Sequence, residues 1–259
     1  MKKNRNLNYS RRKFFKSAGI GAVSITGLPF LASACSQEEK IALNAFFSQN
    51  DTLVFQGDSI TDAGREKKNE WANNGKSLGT GYAMLVAAKL LGSLPEKNLN
   101  IYNRGISGNK VYQLQERWKK DCIELKPDVL SILIGVNDYW HMRNGKYDGT
   151  PEIYEKDYRK LLNDTKTALP DTKLIICQPF ILANTRAVDD SWVKSFSAYQ
   201  EIADRICKEF DAIWVPFQEA FTEATARAPE TYWTADGVHP STGGAQLMAD
   251  TWLKSLARG

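Results

Sequence analysis

Short apolar runs punctuate the chain: Leu53-Val54-Phe55, Ile101-Tyr102, Val129 to Ile134, Leu174 to Cys177 and Ala212 to Val215. Each run is continuous rather than alternating, so both faces of the segment are apolar, which predicts strands covered on both sides as in a parallel sheet. Between the runs the period changes. Tyr154, Tyr158, Leu161, Leu162 and Thr165 keep one face at helical spacing, as do Phe196, Tyr199, Ile202, Ala203 and Ile206, and Gly243 to Leu256 reads as a closing helix. Strand alternating with helix favours right-handed crossovers with helices on both faces of the sheet. The expected fold class is α/β: a three-layer α/β/α sandwich, flavodoxin-like, around a five-stranded parallel sheet. Ligands of such sheets sit beyond the carboxyl ends of the strands, so the chemistry is sought in the loops that follow them. No repeat or linker interrupts the chain after about Lys40, and one domain over residues 51–259 is expected.

The first 34 residues follow another pattern, a basic stretch and then an uncharged one from Ser17 to Ala34, the layout of an export signal. Ser10-Arg11-Arg12-Lys13-Phe14-Phe15-Lys16 resembles the twin-arginine signal of bacteria. Gly19, Gly21, Gly27 and Pro29 make the uncharged stretch a poor membrane span. Leu31-Ala32-Ser33-Ala34-Cys35 resembles a bacterial lipobox, with Ala32 where a large aliphatic residue is usual. That resemblance implies lipidation at Cys35, a tether over residues 35–50, and an exported protein held to a membrane through its lipid on the periplasmic or cell-surface side. Simple cleavage near Ala34, giving a free protein, is the alternative.

This partition changes the meaning of the charge. The full 259 residues carry 34 Lys+Arg against 30 Asp+Glu, a net +4, but seven of the basic residues precede Cys35 and no acidic residue does. The remainder carries 27 against 30, a net −3, which excludes an electrostatic grip on nucleic acid. Cys122, Cys177 and Cys207 form no disulfide framework. Cys177 closes an apolar run and Cys207 lies on a helical stripe, so both are expected in the core. With two histidines in the whole chain, His141 and His239, no zinc site can easily be built, and neither metal nor cofactor is expected.

Three loops follow expected strands. Gly57-Asp58-Ser59-Ile60-Thr61-Asp62 places a serine at the end of the first, where a nucleophile would stand. A turn or helix cap is the plainer reading, since Asp and Ser favour both. Residue 61 is Thr, so the G-x-S-x-G elbow is not met. Asn103 to Asn109 (NRGISGN) offers backbone N–H groups, and Gly135-Val136-Asn137-Asp138 a side-chain amide; these are the parts of an oxyanion hole. A serine hydroxyl needs a base, and His239 in Asp236-Gly237-Val238-His239-Pro240 has a carboxylate three residues away that can fix its tautomer. His141 lacks an obvious partner and reads as a rim residue.

With these blocks in order the chain resembles the SGNH (GDSL) hydrolases. Ser59 in GDSIT, Gly108 in GISGN, Asn137 in GVND and His239 in DGVHP match the four family blocks over residues 53 to 240. The longer strings FQGDSITDAGR, NRGISGNKVYQLQERW and IGVNDYW are most similar to the acetylxylan-esterase branch. The resemblance implies a metal-free serine esterase acting on O-acetylated carbohydrate through an acyl-enzyme. Its catalytic residues would be Ser59, Asp236 and His239, with an oxyanion hole from Ser59, Gly108 and Asn137. One departure is that Ala235 stands where similar enzymes can carry Trp directly before the Asp.

Aromatics near these loops are candidates to stack on sugar: Trp140 first, then Tyr139 and Trp233, with Trp71 and Trp192 also close in sequence. Core packing is the plainer account of each. Arg65 is a further substrate-binding candidate, or with Arg104 a residue that orients the loops. Two other functions stay open: a lysophospholipase, short-chain acyl esterase or thioesterase of the same fold, and a sugar-binding lipoprotein with a decayed site. The expected partner is an acetylated carbohydrate, with no nucleic acid and self-association left open.

Overall fold

The computed structural model describes residues 28–258, with side chains from Gln37 to Ala257. The twin-arginine stretch and the Cys35 side chain lie outside the described residues. The chain divides into two units after Ser36, and the second holds the whole sheet. Five strands, β1 (Thr52–Gly57), β2 (Asn100–Asn103), β3 (Val129–Leu133), β4 (Lys173–Cys177) and β5 (Ile213–Val215), pair in the order β2-β1-β3-β4-β5, all parallel. The predicted three-layer α/β/α sandwich is the observed fold.

The continuous apolar runs are explained by what covers them. One face of the sheet carries α4 (Tyr82–Ser93), which follows the single-turn α3 (Gly75–Leu78), and α11 (Thr242–Arg258). There Phe55 packs edge-on to Tyr82 and against Trp252, ring centroids 5.7 and 5.5 Å away, and the Trp252 indole N–H donates to Ser131 Oγ at 3.0 Å. The other face carries α5 (Val111–Asp121), α7 (Pro151–Ala168) and α8 (Asp190–Glu209). Trp118 of α5 donates to Thr165 Oγ1 of α7 at 2.8 Å. The side chains predicted to line one face of each of the two amphipathic helices are the ones α7 and α8 bury. Cys122, Cys177 and Cys207 are buried free thiols, and burial pushes Cys177 up to about 12.

Register brings the strand ends together. Gly57 pairs with Leu133, Leu133 with Cys177, and Cys177 with Val215, so four strands stop in one row. The chain leaves β1 toward β2 on one side and leaves β3 toward β4 on the other. A crevice opens between those connections at the strands' carboxyl ends.

The tether expected over residues 35–50 is corrected by the structure. Helix α1 (Leu28–Phe46) continues to Phe46, and Leu43 and Phe47 are 0% and 1% exposed within the core. Their one-turn spacing makes an apolar face, which the polar run Ser36-Gln37-Glu38-Glu39-Lys40 obscured in the sequence. Lys173 seals the helix end by donating to the Phe46 carbonyl at 2.7 Å. Leu43→Ala is expected to cost about 2–5 kcal/mol of stability, measured by urea unfolding, the range for truncating a buried leucine. An unchanged midpoint would return this segment to the status of a tether.

Candidate active site

The serine is placed by a helix start. Asp58 follows β1 and caps α2 (Ser59–Asp62), its Oδ1 accepting the Ile60 N–H at 3.0 Å. Ser59 is therefore the first helical residue, and its own N–H has no partner within the helix. The histidine is placed by a hairpin closed by a bridge between Thr234 and Pro240. Inside it Asp236 Oδ1 accepts the N–H groups of Val238 and His239 at 3.0 and 2.8 Å. Asp236 Oδ2 lies 2.7 Å from His239 Nδ1, and His239 Nε2 lies 2.8 Å from Ser59 Oγ. The β4–α8 loop braces the hairpin, with Leu182 N–H donating to the Gly237 carbonyl at 2.8 Å. Burial alone would raise the Asp236 carboxyl, but the hydrogen bonds from the His239 ring and from the His239 and Val238 backbone hold it below its ordinary value. It stays ionised and fixes the ring.

The loop after β2 forms the opposite wall. Arg104 N–H donates to the Phe55 carbonyl and Ile106 N–H to the Gly57 carbonyl, at 2.8 and 3.1 Å, so the loop runs along the end of β1. At Gly105 it touches α2 so closely that a Cβ would collide with the Asp62 backbone nitrogen and with Thr61. Asp62 Oδ2 accepts from Ser107 twice, from its N–H at 2.9 Å and its hydroxyl at 2.7 Å. Gly108 follows with φ +82° and open space beside it, a conformation that favours glycine. Asn137 is the second residue of α6 (Val136–Arg143), and its Nδ2 donates to the Asn109 carbonyl at 3.3 Å. The structure thus joins Asn137 to the Gly108 loop and Ser59 to His239.

Arg65 holds this loop rather than facing a ligand. It is 4% exposed, its Nε donates to the Gly105 carbonyl at 2.7 Å, and its guanidinium pairs with Glu70 at 2.8 Å. Arg104 pairs with the same Glu70. The substrate-binding assignment of Arg65 is corrected on that ground, and the loop-orienting alternative is the one observed. Two aromatic expectations also change. Tyr139 is 1% exposed and packs edge-on against Trp192, Phe196 and Tyr199 at 5.1, 5.5 and 5.6 Å. Trp233 is 7% exposed, and its indole N–H donates to the Ala224 and Ala228 carbonyls at 3.1 Å. Neither ring face is open to a sugar. Trp140 is half-buried against Trp192, and Trp71 is exposed. His141 stands apart from the triad, its Nδ1 3.4 Å from Lys110 Nζ.

Sequence reasoning passed over Asp58 and Asp138, the neighbours of Ser59 and Asn137. Both are 0% exposed; Oδ1 of each accepts a backbone N–H, from Ile60 and Val111, while Oδ2 of each has no hydrogen-bond partner among the described residues. Burial pushes both carboxyls up to about 7, against smaller lowering contributions from those N–H groups. For Asp58 the available signal was an acidic residue directly behind an apolar strand; Asp138 lies inside α6 and had no such signal.

The cleft at Ser59 and His239 has a volume of about 260 Å³ and is walled by Ile60, Ala63, Thr80, Gly81, Tyr82 and residues 240–242 and 245. A larger hollow of about 410 Å³ lies between α11 and α9 (Phe217–Thr225), away from these residues. Among the described residues, no three His, Cys, Asp or Glu side chains are grouped to hold a metal ion.

Asp58 generates a stability prediction. Its folded value near 7 exceeds the ordinary 3.8, so unfolded chains lose the proton first as pH rises. The native state is penalised progressively between those values, up to roughly 4 kcal/mol above pH 7. Asp58→Asn keeps the cap and cannot ionise. It is expected to be more stable than the wild type at pH 7 by a few kcal/mol, with the advantage gone by about pH 4, when urea midpoints are compared.

Residues 55–247 match the GDSL-like lipase/acylhydrolase family. An acetylxylan esterase from Geobacillus stearothermophilus is 32% identical over 210 residues, covering 80% of this chain and 94% of the relative. Its crystal structure superposes with a TM-score of 0.74, covering 81% of this chain and 95% of that one. Solved variants of that enzyme, described as catalytic mutants, replace a serine, an aspartate and a histidine by alanine. A solved structure from Parabacteroides merdae, described only as GDSL-like, is 47% identical, with a TM-score of 0.80 over 82% of this chain and 98% of that one. The chain belongs to the GDSL-like lipase/acylhydrolase (SGNH) family and is a carboxylic ester hydrolase.

Proposed function

We propose that this protein removes acetyl groups from O-acetylated carbohydrate, of the xylan or xylo-oligosaccharide type, through an acyl-enzyme and without a metal. The observation that carries this reading is the continuous chain from Asp236 Oδ2 through the His239 ring to Ser59 Oγ, with both contacts under 3 Å. Ser59 attacks the ester carbonyl while His239 Nε2 takes its proton, and Asp236 holds the imidazole in the tautomer that leaves Nε2 free. The oxyanion is met by the N–H groups of Ser59 and Gly108 and by the Asn137 amide, whose nitrogen has a second N–H beyond the one given to the Asn109 carbonyl. His239 then protonates the departing sugar oxygen and activates the water that releases acetate.

Three features support the acetyl-sugar substrate. The cleft of about 260 Å³ has small residues such as Ala63, Gly81 and Ala245 in its wall, which leave room for an acyl group beside Ser59. The relative from Geobacillus stearothermophilus is an acetylxylan esterase. The contacts among Ser59, His239 and Asp236 are intact, which disfavours a decayed binding protein. We also propose that residues 1–34 direct export and that Cys35 carries a lipid; mass spectrometry of the mature N-terminus tests both.

Acetate release across a panel of acetylated xylan, xylo-oligosaccharides and other acetylated glycans tests the substrate class, and a preference for octanoyl or longer p-nitrophenyl esters would sink it. Ser59→Ala is expected to abolish turnover. Asn137→Ala should lower kcat by about 10² to 10³ with the fold retained by circular dichroism, the usual effect of removing one oxyanion donor.

A further inference from the structure

The buried Trp233 leaves its neighbour in the opposite situation. Tyr232, on the short helix α10 (Glu230–Trp233), is 58% exposed, one of the few large rings on the described surface that water can reach. Its backbone is the foot of the Asp236–His239 hairpin. Ser241 Oγ donates to the Tyr232 carbonyl at 2.7 Å, and Ser241 N–H donates to the Trp233 carbonyl at 2.7 Å. Ser241 and Thr242 in turn line the cleft that contains Ser59 and His239.

The ring is also supported from behind. It stands edge-on to Trp233, centroids 5.0 Å apart, and the Trp233 indole is itself pinned by two carbonyls. Its edge rests over Gly243, where an added Cβ would already sit 3.4 Å from the Tyr232 ring. A backed, exposed aromatic face loses little freedom when a flat apolar surface covers it, and the C–H face of a pyranose is such a surface.

We propose that Tyr232 is a substrate-contacting platform on which a sugar ring next to the acetylated unit stacks, making it a specificity-determining residue for extended carbohydrate esters. The inference rests on the acetyl-carbohydrate reading above. It differs from the sequence expectation in its residue, because the face that Trp233 and Tyr139 would have offered is buried and the face of Tyr232 is not.

Two measurements test it. In kinetics, Tyr232→Ala is expected to lower kcat/KM for acetylated xylotetraose at least fivefold more than for p-nitrophenyl acetate, which has no sugar ring, with most of the loss in KM. Tyr232→Phe should restore the ratio. In calorimetry, the Ser59→Ala protein is expected to bind xylotetraose, and adding Tyr232→Ala should weaken that binding at least fivefold. Equal losses on both esters, binding of xylotetraose unaffected by the ring, or a change of oligomeric state with Tyr232→Ala would overturn the platform. Hydrolysis of p-nitrophenyl acetate without acetate release from any acetylated sugar would instead overturn the functional reading, so the two failures are distinguishable.

Discussion

The alignment of four parallel strand ends in one row is the constraint on which the site depends. Ser59 and His239 are 180 positions apart, yet their side chains meet at 2.8 Å. The serine leaves directly from the end of β1 and Asn137 follows β3, its immediate neighbour in the sheet. Because the connections from those two strands depart in opposite directions, the crevice between them is left unfilled by either. The His239 hairpin enters from the last part of the chain and is held there by the β4–α8 loop and the first turn of α11. No single segment contains the site, so its geometry is only as good as the sheet's register.

Around that crevice the protein retains polar groups that a stability-optimised core would omit. Asp58 and Asp138 are buried without full hydrogen bonding, and Glu70 is shared by two largely buried arginines. Each arrangement costs desolvation energy, and a buried ion pair seldom improves on apolar packing. What these groups accomplish is positional. Asp58 starts the helix that presents Ser59, Asp138 ties α6 to the start of α5, and Arg65 and Asp62 hold the loop that carries Gly108. The apolar packing of Phe55, Tyr82 and Trp252 beneath the sheet offsets such costs.

Legibility of the residues varied with the range of the forces that set them. Val129 to Ile134 could be read as a buried strand because local composition already encodes burial on two faces. Tyr154 and Leu161 could be read as one face of a helix because spacing encodes direction. Tyr139, Trp233 and Tyr232 could not be sorted, since an aromatic ring is equally at home in a core and on a sugar-binding rim. Tyr232 and Trp233 are adjacent in sequence, and only the packing of α10 on α9 and α11 turns one inward and the other outward. The end of α1 was hidden for a similar reason, because Leu43 and Phe47 acquire meaning only once a core is present to receive them.

The candidate chemistry was legible before any folding was considered: one histidine with a carboxylate three residues away, one serine behind the first apolar run, and an alternation of strand and helix that admits few topologies. Those are properties of residue type and spacing, which act locally. The tertiary structure alone decided which side chains share a volume and which face water. It made Arg65 a brace instead of a ligand contact, left Asp58 without hydration, and set Ser59 and His239 in one cleft. Burial and hydrogen bonding across tens of residues depend on distances that folding creates, and no linear pattern of residues contains those distances.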